Sequence, residues 1–117
     1  MNLPAYIIDV TQNCLVKVLD PERIIIFGSY ARGEESESSD VYICTITGTK
    51  EQVIRETAVR CRLALRAAFW RDGPQFDLLL ISSIQFADEK EKLSSIYFTI
   101  ANEGQTIYTC KHSHAAQ

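Results

Sequence analysis

The stretch Ile24–Ile46, IIIFGSYARGEESESSDVYICTI, decides how this chain is read. An apolar run ends at Gly28-Ser29, a polar loop follows, and Asp40 opens a second apolar run. Arg23–Phe27 is too short for a helix here and predicts a buried strand, since β-branched and aromatic side chains suit a pleated surface. Gly28 lacks a Cβ, so its backbone can approach a phosphate closely and take a positive φ. Ser29 enters a short helical turn, Ser29–Gly33, and offers a hydroxyl and first-turn N–H groups to an anion. The plain alternative is an ordinary strand-to-helix turn with Ser29 as its N-cap. Glu34–Ser39 is acidic and serine-rich, which predicts a mobile, solvated loop. In the next strand, Asp40–Thr47, Asp40, Tyr42, Cys44 and Ile46 share one face, and Val41, Ile43 and Thr45 share the other.

Outward from this centre, Pro4–Leu19 carries Tyr6, Ile7, Val10, Cys14, Leu15 and Val18 at helical spacing, with Pro4 placed in a first turn and Asp20-Pro21 as the stop. Lys50–Trp70 is the longest helical pattern, with Val53, Thr57, Cys61, Leu65 and Ala68 along one stripe. After the break at Arg71–Pro74 comes a third strand, Gln75–Ile81. Ser83–Glu91 and Leu93–Asn102 predict two short helices, Gly104 suits a helix C-terminal cap, and Thr106–Thr109 suits a last edge strand. Lys111–Gln117 is a polar tail expected to fray. The order predicts one α/β or α+β domain spanning residues 1–117, with a small mixed β-sheet and helices packed on it.

Composition narrows the function classes. The 117 residues are 46% hydrophobic and 23% charged, as in globular proteins. A net charge of -3 argues against a domain that grips nucleic acid by its backbone, and fits a small-molecule site or a basic protein partner. Met1–Val10 lacks the basic start and long apolar run of a secretory signal, and no apolar run approaches membrane-spanning length. The four cysteines show no CxxC spacing, so neither structural zinc nor a disulfide framework is expected. Cys14, Cys44 and Cys61 lie among apolar residues and read as buried reduced thiols. A cytoplasmic location is the expectation.

Asp40 and Asp77 are the candidate metal ligands. Phe76 and Leu78–Ile81 imply a central strand around Asp77, where an unpaired carboxylate would be costly. If the two strands are neighbours, the carboxylates can converge on magnesium. A two-metal site, with ions about 3.5–4 Å apart, needs a further bridging carboxylate.

GSYARG, with ten residues between Ser29 and Asp40, resembles the signature of the minimal nucleotidyltransferases (MNT) of the DNA polymerase β-like superfamily. Their pattern is Gly-Ser, a ten-residue gap, Asp-x-Asp on a strand, and a third Asp on a later strand. The likeness covers nearly the whole chain, including Phe76-Asp77-Leu78 and the closing Ile100–Gly104 and Ile107-Tyr108. It implies a polymerase β-like nucleotidyltransferase fold. It also implies that Gly28 and Ser29 hold the β- and γ-phosphates of ATP, with Asp40 and Asp77 as magnesium ligands and catalytic residues. Asp77 would orient or deprotonate the attacking hydroxyl, and in-line attack on the α-phosphate would release pyrophosphate. Arg32 would pack or pair near the turn. MNT proteins often act as antitoxins that modify HEPN ribonuclease toxins, so the resemblance also implies a HEPN-type protein partner.

The departure from the pattern is Tyr42, which stands at the second Asp of the pair. A phenol with a pKa of about 10 is neutral at pH 7 and brings magnesium no charge. Glu35 and Glu37 lie on the loop and lack the preorganisation such a ligand needs. Tyr42 therefore predicts weakened magnesium and ATP binding and impaired AMP transfer. Two functions follow: an MNT-type antitoxin acting mainly by contact, or an active magnesium-dependent enzyme that transfers AMP to a hydroxyl of a partner protein. Cys110, His112 and His114 alternate near the C-terminus and read as tail rather than metal site. Arg55, Arg60, Arg62, Arg66 and Arg71 give the long helix a basic side, read as a solvated face or as a contact for an acidic partner or nucleic acid.

Overall fold

A computed structural model describes residues 3–48, 54–69 and 73–110. The elements run α1 (Ala5–Val18), β1 (Pro21–Phe27), α2 (Ser29–Arg32), β2 (Val41–Thr47), α3 (Ile54–Ala68), β3 (Phe76–Ser82), α4 (Ser83–Glu89), α5 (Ile96–Glu103) and β4 (Gln105–Thr109). The sheet order is β3-β2-β1-β4. β1 pairs antiparallel with β2 and with β4, while β2 and β3 are parallel and joined through α3. The sheet is therefore mixed, as the sequence predicts.

Both faces of the sheet are covered, which is why β1 is a continuous apolar run. Ile24 and Ile26 of β1, Val41 and Ile43 of β2 and Leu78 of β3 pack with Ile7 and Leu15 of α1 and with Cys61 and Leu65 of α3. Ile25, Phe27, Cys44, Ile46 and Ile81 point to the other face and pack with Phe86 of α4 and Ile100 of α5. The alternation expected for β2 is thus borne out, with Tyr42 packed on the second cluster.

The helix faces are rotated from expectation. In α1 the buried residues are Ile7, Thr11 and Leu15, an i, i+4, i+8 line, and Tyr6 is 59% exposed because it lies about 100° around the helix from Ile7. Cys14 is only half-buried, its thiol donating to Ala64 O at 3.9 Å. In α3 Ala58 joins Cys61 and Leu65 in the core, and Ala68 is exposed. Val53 and the tail from Lys111 lie outside the described residues. Ser95 caps α5 by accepting from Tyr97 N, so that helix starts later than the apolar pattern suggests. Gly104 is the C-cap of α5 with an extended φ of -71°, not a left-handed one. Space requires the glycine there, because a Cβ would run into Ile25 Cγ2 and Ile100 O.

Cys44 and Cys61 are fully buried free thiols. Burial pushes the Cys44 thiol up to about 12 and the Cys61 thiol up to about 11, from an ordinary 9.0. Both groups stay neutral in the fold at pH values where the unfolded chain already loses protons. Their contribution to stability is complete below about pH 9 and is lost as pH rises towards 11 and 12. The urea midpoint should be flat up to about pH 9 and fall above it, and Cys44→Ala should flatten that fall. An unchanged alkaline slope in that variant would refute this assignment.

Candidate functional site

The site lies where β1 ends and β2 and β3 begin. Gly28 leaves β1 with φ 83° and ψ -155°, a conformation closed to residues with a Cβ. The chain then turns through α2, with Arg32 N donating to Gly28 O at 3.2 Å and Glu34 N to Ser29 O at 2.9 Å. Gly33 ends the turn in the left-handed region, φ 72° and ψ 24°. Gly28 is the N-cap of α2 and Ser29 its first helical residue, so Ser29 is not the cap. Gly28, the one residue between β1 and α2, has no side chain to accept from the first turn.

Arg32 donates from Nε to Glu34 Oε1 at 2.9 Å and lies 3.8 Å from Glu103 Oε1, tying the turn to the end of α5. The carboxylates raise its already high pKa, the Glu34 hydrogen bond most. Being exposed, these pairs hold geometry more than they add stability. The acidic loop is organised at Ser36–Ser39, where Ser36 N donates to Ser39 Oγ at 2.8 Å and Ser39 N to Ser36 O at 3.1 Å.

The strands carrying Asp40 and Asp77 are neighbours. Asp40 directly precedes β2, and Val41 N donates to Gln75 O at 2.8 Å. Tyr42 is the register partner of Asp77 on one side and of Phe27 on the other. Phe27, Tyr42 and Asp77 thus form one row across three strands on the α4–α5 face. The Phe27 and Tyr42 rings lie 5.5 Å apart at 37°. Tyr42 also covers the turn: a Cβ on Gly28 would sit 2.7 Å from Tyr42 Cδ2. Phe27, absent from the sequence-level candidates, is the residue that positions this ring; its place in the register relative to the Gly-Ser turn was the available signal.

Asp77 corrects an expectation. β3 is an edge strand, not a central one, and Asp77 is exposed. Its carboxylate needs no buried partner, so its charge alone does not argue for a metal. Asp40 is half-buried. Among the described residues no three His, Cys, Asp or Glu side chains converge as a metal-binding group, and none of the described helices is long and apolar enough to cross a membrane.

Comparisons with known proteins bear on the family and the fold. The family model for the nucleotidyltransferase domain matches residues 12–105, and the chain belongs to that family. The fold is similar to a crystal structure of a mutant toxin–antitoxin MntA–HpeT, with a TM-score of 0.61 and 13% identity over 93% of this chain and 78% of that one. It is also similar to a toxin–antitoxin crystallised with AMP-PNP, with a TM-score of 0.54 and 17% identity over 90% of this chain and 78% of that one. No curated protein matches in sequence. The polymerase β-like nucleotidyltransferase fold expected from GSYARG is the fold of this chain.

Proposed function

We propose that this chain is an MNT-type antitoxin for a HEPN-type toxin, and that its metal site is degenerate, so AMP transfer is weak or lost. The observation that carries this reading is the position of Tyr42. Its ring lies against Gly28 and directly across from Asp77, where the resemblance calls for a carboxylate. Asp40 and Asp77 are left as the acidic pair, without the bridging group that a two-metal site uses. The residues present do not fit a magnesium pair, and the ring crowds the turn that would receive the phosphates. The toxin–antitoxin neighbours support a protein partner, and the neighbour with AMP-PNP supports ATP as the nucleotide that this fold would receive.

The test is incubation of the chain with labelled ATP, magnesium and its partner toxin. Little or no labelling is expected, together with toxin neutralisation that persists in Asp40→Ala and Asp77→Ala. Robust labelling that disappears in Asp40→Ala would establish the alternative, an active nucleotidyltransferase that modifies a partner hydroxyl.

A further inference from the structure

The basic side of α3 and the outer edge of β3 form one surface. Gln75 O accepts from Val41 N, so residues of odd number in β3 turn their backbone groups towards β2. Those of Phe76, Leu78 and Leu80 then face the outer edge, which pairs with no described strand. Arg62 Nη2 reaches over from α3 and donates to Leu78 O at 3.0 Å. Between helix and edge lies a cavity of about 370 Å³, floored by Leu65, Phe69, Phe76 and Leu78 and rimmed by Arg62 and Arg66.

Charge selects the occupant. Helix α3 carries four arginines and one glutamate in a chain of net charge -3. Arg55, Arg62 and Arg66 are spaced i, i+7, i+11, one stripe along the flank nearest β3. Val59 and Leu63, 47% and 57% exposed, form the adjoining apolar line. A second copy brought edge to edge about a two-fold axis would set these arginines against their own equivalents.

We propose that this edge is a docking site for an acidic, extended segment of a partner protein, added to β3 as a further strand. The exchange leaves no group unpaired. A peptide N–H takes over Leu78 O, and the released Arg62 guanidinium pairs with a peptide carboxylate, a stronger charge-assisted bond. Apolar side chains on the same strand face as that carboxylate fill the floor of the cavity. The inference rests on the reading that the chain works through a protein partner, but its site is separate from the Gly28–Asp77 row.

The test uses a fluorescein-labelled Glu-Val peptide of repeating Glu-Thr-Val-Thr, in which Glu and Val share one strand face, a Lys-Val control with Lys for each Glu, and a single-stranded oligonucleotide, without ATP or toxin. Failure here would leave the reading of the Tyr42 site standing. Anisotropy should show binding of the Glu-Val peptide alone, weakened by salt. Arg66→Glu should weaken it by about tenfold or more. That side chain makes no hydrogen bond or ion pair within the described residues, so the fold is spared. Arg62→Glu should act in the same direction, and the amides of Phe76, Leu78 and Leu80 should exchange more slowly with peptide bound. Absent binding, equal binding of the Lys-Val peptide, preference for the oligonucleotide, insensitivity to Arg66→Glu, or unprotected edge amides would each overturn the proposal.

Discussion

Tyr42→Asp is expected to raise magnesium-dependent ATP affinity at least about tenfold, about 1.4 kcal/mol, while weakening the unliganded fold. Both effects come from one position. The new carboxylate would face Asp77 across the parallel β2–β3 pair and follow Asp40 by one strand repeat, supplying the missing member of the acidic set. Without metal it would place like charges side by side and remove the ring that packs on Phe27. Loss of that aromatic contact and its apolar area should destabilise the chain by about 2–4 kcal/mol. Magnesium-ATP should restore about 2.7 kcal/mol of this at a hundredfold excess over Kd. Calorimetry measures the affinity and urea unfolding with and without magnesium-ATP measures the linkage. If the parent chain is stabilised by magnesium-ATP as much as the variant, Tyr42 is not the limiting defect.

Gly28→Ala should be the most damaging small substitution at the site, at about 2–6 kcal/mol. Two independent causes add. The backbone at φ 83° and ψ -155° is essentially reserved for glycine, which accounts for about 1–3 kcal/mol. The new Cβ would lie 2.7 Å from Tyr42 Cδ2, and forcing that ring aside accounts for about 1–3 kcal/mol more. Gly33→Ala separates the causes, because φ is 72° there but nothing lies within 4 Å of an added Cβ. It should lose about 1–2 kcal/mol from conformation alone. In a Tyr42→Ala background the contact part of the Gly28→Ala loss should vanish and the backbone part remain. Urea midpoints of the four chains give the coupling. Zero coupling between positions 28 and 42 would show that the ring does not bear on the turn.

The run IIIF, the Gly-Ser break and the ten-residue gap to Asp40 made the β1–turn–β2 unit legible, because each is a local signal: a short β-branched and aromatic apolar run, a glycine-only backbone and a fixed loop length. The family followed from the same stretch. The edge position of β3 was not legible, since FDLLLI is as apolar as a central strand. Its apolarity comes instead from helices α3 and α4 covering its two faces, while its outer backbone edge pairs with no described strand. The exposure of Asp77 follows from that edge position, as does the place of Arg62 over Leu78 O. In α1, apolar residues wider than one stripe left the inward direction undecided, and the sheet chose the Ile7–Thr11–Leu15 line.

The element order, the glycine at the turn, the acidic residues near it and the missing carboxylate at position 42 can all be read from the residue order. These depend on residues close together in the chain, where periodicity, φ and spacing act directly. That Tyr42 stands between Phe27 and Asp77 and against Gly28, and that β3 presents beneath the arginines of α3 an edge paired with no described strand, emerges from the folded chain. Those facts depend on strand order and register, which are set by burying both faces of one sheet at once and are written in no single segment.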